Sequence, residues 1–119
     1  TGPISQIFAL DHQCDKMLTE GLDSRFDRHK KMQELVNKWT RENFAMFPEP
    51  GYESVTLTCG RNTRGISISE LNKKLSEKHS AVISDGYGKI KDNTFRIAHM
   101  GDQTVDEIKE LLGWMDELI

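Results

Sequence analysis

The segment Phe47-Pro48-Glu49-Pro50-Gly51 divides this chain into two parts whose apolar residues recur at different intervals. Proline cannot continue a helix and steers the residue before it towards extended backbone, so no regular helix crosses this segment. Upstream, apolar residues recur at three- and four-residue steps. Ile7, Leu10, Cys14 and Met17 with Leu18 make one stripe, which predicts a helix over 4–19. After Gly21, the residues Leu22, Phe26, Met32, Leu35, Val36 and Trp39 make a second, longer stripe. Asp23 or Ser24 can cap that helix, and Arg28-His29-Lys30-Lys31 reads as a solvated patch.

Downstream the interval shortens. Residues 54–59 alternate Val55, Leu57 and Cys59 against Thr56 and Thr58, the pattern of a half-buried strand. Residues 60–65 (GRNTRG) read as a loop. Ser67 with Glu70 then forms a capping box, and Ile66 with Leu71 a hydrophobic staple, at the start of a third helix. Residues 81–84 (AVIS) predict a short apolar strand, 85–88 (DGYG) a turn and 94–99 (TFRIAH) another strand. Thr104 with Glu107 caps a last helix that carries Ile108, Leu111, Leu112 and Met115 on one face. The expected fold is α+β: two N-terminal helices, then a small β-α-β-β-α sandwich with its helices packed on one face of a sheet. The expected division is a helical segment over 1–48 and the small α+β domain over 49–119. A helix leading directly into a complete small sandwich is the organisation expected of a piece of something larger.

Composition narrows the function. The 119 residues are 36% hydrophobic and 29% charged, with net charge −3, and the basic residues are scattered among acids. Nucleic-acid binding needs a concentrated basic face, so it is not expected. No apolar run approaches the ~20 residues of a membrane span, and no signal-peptide pattern opens the chain. Cys14 and Cys59 stand far apart without a CxxC partner, so a reduced, cytosolic (cytoplasmic) chain is expected. His12, His29, His79 and His99 lack metal-ligand spacing, and no metal site is expected.

Two features of the C-terminal half invite chemistry. Asp85-Gly86-Tyr87-Gly88-Lys89 could be taken for a phosphate loop, but such a loop joins a strand to a helix N-terminus and follows its lysine with Ser or Thr. Here Ile90 follows Lys89 and the segment joins two strands, so it reads as a glycine-permitted turn. Arg96 is the only charged residue of its strand. Alternation puts Phe95 and Ile97 on one side and Thr94, Arg96 and Ala98 on the other. A guanidinium is a permanently charged planar fork suited to a carboxylate, whether of a ligand or of a partner in a surface ion pair, which is the usual role of an exposed strand arginine. No serine or cysteine sits in a nucleophile motif.

Residues 89–115, KIKDNTFRIAHMGDQTVDEIKELLGWM, resemble the C-terminal part of a class V, fold-type I pyridoxal-phosphate aminotransferase of the alanine–glyoxylate/serine–pyruvate type. The likeness extends upstream through 65–89, a helix–strand–glycine-turn segment. It continues to 1–32, with a T-x-P start and an EGL…R…RH helix that links two domains in that family. The resemblance implies that Arg96 holds the α-carboxylate of a small amino acid or 2-oxo acid. It implies that Thr1 reaches the cofactor phosphate of the opposite subunit in a homodimer. The family's GGxGK turn stands here as SDGYGK, with Ser84 and Asp85 before Gly86, which leaves the loop conformation for the structure to decide. The family's Schiff-base lysine, its cofactor-pairing aspartate and its stacking aromatic all precede the region that Thr1 begins. Lys16, Lys38, Lys74 and Lys109 fall on helix faces, and Lys89 and Lys91 in the turn region, so the chain alone is expected to be inactive. A stand-alone amino-acid-binding or regulatory α+β module is the alternative. A cysteine desulfurase is disfavoured, because no cysteine-bearing loop adjoins the FRI strand.

Overall fold

A computed structural model describes all 119 residues. Helix α1 (Ile4–Glu20) and helix α2 (Leu22–Asn43) are separated by Gly21 alone, whose φ of 86° is a conformation that residues with a Cβ rarely adopt. The Gly21 N–H still donates to the Met17 carbonyl, closing α1 while the chain redirects. Strand β1 (Ala45–Met46) follows, then β2 (Leu57–Arg61), α3 (Ile68–His79), β3 (Ser84–Asp85), a 3-10 turn over Gly88–Ile90, β4 (Thr94–Ala98) and α4 (Val105–Leu118). The sheet order is β1-β2-β4-β3 and every neighbour is antiparallel.

Helices α2, α3 and α4 cover one face of this sheet. Met32 and Val36 of α2, Leu75 of α3, Phe95 and Ile97 of β4, and Ile108 and Met115 of α4 form a closed core. The expected α+β class, with helices on one sheet face, is the fold observed. The start of α4 forms as read, with Thr104 and Glu107 capping each other reciprocally. At α3 only half of the expected box forms, Ser67 accepting the Glu70 N–H with no return bond from the Glu70 side chain. No helix is long and apolar enough to cross a membrane.

Several local features differ from the expectation. Helix α2 begins at Leu22 with Gly21 as its cap, so Asp23 and Ser24 lie inside the helix, and Gly60 and Arg61 of the expected loop belong to β2. The two-residue strand β1 has no sequence signature, because it exists only through pairing with Arg61 and Gly60 of β2. In β2 the apolar residues do not face the core: Thr58 and Gly60 are buried, while Leu57 and Cys59 lie half-buried on the opposite face. Gly60 is inside because the Phe95 ring occupies the space a side chain would need. Thr58 is inside because its hydroxyl donates to Asn37 Oδ1 and meets His99 Nε2, each at 2.8 Å. Residues 81–83 form no strand. Ser80 ends α3 in the left-handed region, Ile83 drops into the core, and its N–H donates to Asn72 Oδ1 at 2.7 Å. In α2 the inward stripe runs Arg25, His29, Met32, Val36 and Thr40, so Leu22 and Phe26 face out and His29 of the expected solvated patch is buried. Polar residues at 25 and 29 disguise that face in the sequence.

Candidate functional site

The sheet face opposite the helices is uncovered, and Arg96 stands in its middle. Its register partners are Cys59 on β2 and Ser84 on β3, so Ser84, Arg96 and Cys59 form one row across three strands. The alternation read from the sequence holds for β4: Phe95 and Ile97 are buried, Arg96 is half-buried and Ala98 exposed. Thr94 belongs to the Arg96 side yet is buried, because the preceding turn folds over it and its hydroxyl donates to the Ile90 carbonyl at 3.0 Å.

The guanidinium is oriented by a single backbone group. Arg96 Nε and Nη2 donate to the Asp85 carbonyl at 3.1 and 3.0 Å. No acidic side chain pairs with it; the ion pairs of the chain all involve other cations. This leaves both N–H groups of Nη1 and the second N–H of Nη2, the end of the fork, for an external acceptor. Across the strand pair, burial pushes the Cys59 thiol up and the Arg96 charge opposes that shift.

The glycine turn beside the arginine is closed on itself. Asp85 Oδ1 accepts the N–H groups of Gly86 at 2.6 Å and of Asp92 at 2.9 Å. A Cβ at Gly86 would stand less than 3.0 Å from the Ile90 carbonyl and the Thr94 hydroxyl, so only glycine fits there. The turn's own carboxylate thus occupies amides that a phosphate would need. The reading of this segment as a turn and not a nucleotide loop agrees with that geometry.

Thr1 lies exposed ahead of α1, and no hydrogen bond or ion pair joins it to the Arg96 row. Among the lysines, Lys16 binds Asp102, Lys38 is 3.8 Å from Glu42, and Lys109 is 3.1 Å from Asp106. Lys74, Lys89 and Lys91 are exposed, and none of the six is a register partner of Arg96. Pyridoxal phosphate needs an amine to hold its aldehyde and donors around its phosphate. The six lysines named and Thr1 do not form such a set beside Arg96.

Two polar clusters escape sequence reasoning. One fastens α1 to the rest of the chain. Arg28 Nε donates to Glu20 at 2.6 Å, Arg25 reaches Glu20 at 3.0 Å and Asp102 at 3.4 Å, and Lys16 and Gln13 hold Asp102 from α1. Arg28 also donates to the carbonyls of Gly101 and Gln103. The Glu20 carboxyl is lowered to about 2, chiefly by its hydrogen bond with Arg28, and Asp102 to about 2, chiefly by Lys16. The i,i+3 pair Arg25 and Arg28 was the one available signal. The other cluster joins Asn37, Thr58 and His99 inside the core, with His29 Nδ1 2.7 Å from the Arg25 carbonyl. Burial pushes His99 below the usual histidine range, and its Nδ1 has no partner.

No protein-family model matches the chain. Over 102 residues it is 28% identical to an uncharacterized aminotransferase of Methanocaldococcus jannaschii, covering 85% of this chain and 26% of that protein. Over 108 residues it is 28% identical to the L-aspartate–glyoxylate aminotransferase of Paracoccus denitrificans, covering 87% of this chain and 27% of the relative. The chain therefore spans about a quarter of the length of the curated relatives it matches. The crystal structure of an alanine–glyoxylate aminotransferase from Nostoc sp. shares its fold, with a TM-score of 0.86 at 22% identity over 99% of this chain and 32% of that one.

Proposed function

We infer that this chain, a homologue of the class V aminotransferases, is the C-terminal small domain of a pyridoxal-phosphate-dependent aminotransferase, with residues 1–48 linking it to a larger cofactor-binding domain. The complete enzyme would be a cytosolic homodimer that moves an amino group between a small amino acid and a 2-oxo acid. Its Schiff-base lysine would lie in the larger domain, and the chain alone would be inactive. Thr1 would approach the cofactor phosphate of the opposite subunit.

One observation carries this reading: an arginine without a salt-bridge partner sits at the centre of an uncovered sheet face, with the end of its fork free. A half-buried guanidinium held on one side by a carbonyl is a ready site for an anion of matching planar geometry. Amino acids and 2-oxo acids share one such group, the α-carboxylate. Arg96 would bind it through Nη1–H and the remaining Nη2–H, and so fix the substrate's α-carbon relative to the sheet. Ser84 and Cys59 flank the arginine as small residues and leave that approach open.

The test is Arg96→Lys in the complete enzyme. Lysine keeps the charge and loses the fork. Hydrogen bonds to charged groups contribute about 1.5–3 kcal/mol, so kcat/KM should fall about ten- to hundredfold. The loss should be equal for amino-acid and oxo-acid substrates, with cofactor absorbance unchanged. Unaltered kcat/KM in both half-reactions, or loss of the cofactor, would remove Arg96 from this role.

A further inference from the structure

We propose that Asp85 is a positioning residue for Arg96: its carbonyl aims the guanidinium, and its own carboxylate locks the peptide that carries that carbonyl. This deepens the carboxylate-site reading of Arg96 and rests on it for its functional meaning.

Strand β3 is only two residues long and lies at the sheet edge, paired through Ser84–Arg96 and Asp85–Phe95. So short a strand is weakly determined by its ladder alone, because its next residue, Gly86, is free to take many conformations. Yet Arg96 places both Nε and Nη2 on the carbonyl of Asp85. The direction of the fork is therefore only as definite as the Asp85 peptide. That peptide is clamped from its own side chain, whose Oδ1 accepts the N–H of Gly86 at 2.6 Å and the N–H of Asp92 at 2.9 Å. The second of these bonds ties the far end of the turn, where Asp92 sits at φ 61°, back to its beginning. The Gly86 N–H is also shared with the Thr94 carbonyl at 3.0 Å, which joins the clamp to the first residue of β4. One oxygen thus holds both ends of the turn, and the carbonyl of the same residue orients the arginine.

Because a single oxygen receives both N–H groups, an amide oxygen can replace it. Asp85→Asn should preserve the arrangement, and Asp85→Ala should abolish it. A merely structural contribution would change overall stability without acting selectively on one guanidinium.

The experiment follows the arginine Nε–H signals of the isotopically labelled 119-residue chain by NMR, with Arg96 identified by its disappearance in Arg96→Lys. Exchange of the Arg96 Nε–H with water should be at least tenfold slower than that of exposed Arg64. In Asp85→Ala it should rise to the Arg64 rate while the amide signals of Ile97 and Ile108 in the core keep their positions. In Asp85→Asn it should stay slow. Unchanged exchange in Asp85→Ala would overturn the proposal, and so would Asp85→Asn behaving like Asp85→Ala. Pyruvate, added as the carboxylate probe, should shift the Arg96 signal, with binding weakened several-fold in Asp85→Ala only. If pyruvate shifts nothing in the unaltered chain while Asp85→Ala still frees Arg96, the positioning role stands and the carboxylate site falls.

Discussion

Gly60 of β2 and Phe95 of β4 face each other across the sheet with no room for a methyl group between them. A Cβ at position 60 would stand less than 3.0 Å from three carbons of the phenyl ring. That ring is itself packed edge-on against Phe44 and Trp39, at centroid distances of 4.8 and 6.5 Å, so it has nowhere to retreat. Overfilling a packed core costs about 1–3 kcal/mol. Gly60→Ala should lower the unfolding free energy by that amount, seen as a lower urea midpoint with the slope unchanged. An unaltered midpoint would mean the ring can move.

Helix α1 buries none of its residues, while Ile4, Ile7, Phe8, Leu10 and Leu18 are exposed. Its attachment is therefore ionic, and it should answer to pH and salt separately from the core. Glu20 and Asp102, both lowered to about 2, stabilise the folded arrangement above their unfolded values of ~4. That contribution disappears as pH falls through about 2. Between pH 4 and pH 2 the α1 amide signals should move towards unfolded positions before those of β4 do. At neutral pH, added salt should loosen the same contacts by screening. Simultaneous loss of α1 and β4 would refute this separation.

The chain by itself should form no specific adduct with pyridoxal phosphate. After borohydride reduction, mass spectrometry should find low, scattered labelling over exposed lysines such as Lys74, Lys89 and Lys91. Stoichiometric labelling of one lysine would show that this chain carries a cofactor-holding amine, and the proposal that the lysine lies in another domain would fail.

Much of the scaffold was readable because its causes are local. The helix caps at Ser67 and Thr104 depend on residues three apart, the break at Pro48 and Pro50 on backbone chemistry, and the alternation about Arg96 on strand geometry. What escaped depends on partners distant in sequence. Thr58 and Gly60 turn inwards because of Asn37, His99 and Phe95, and nothing within β2 announces that. Arg25 takes an inward position on α2 because Glu20 and Asp102 neutralise it there. Arg96 stands out as a lone charge in its strand, but its orientation depends on the Asp85 carbonyl, the last of β3, and nothing local to Arg96 announces that partner eleven residues away.

The two central strands, β2 and β4, are the long ones, and each outer strand has only two residues. A free strand edge is a template on which another chain can add itself, and the template grows with the number of unpaired backbone groups. Here the rim is too short to guide a neighbour into register, and one side of it ends in a turn tied back by Asp85. A sheet can thus leave one whole face uncovered without inviting its own copies to polymerise along its margin.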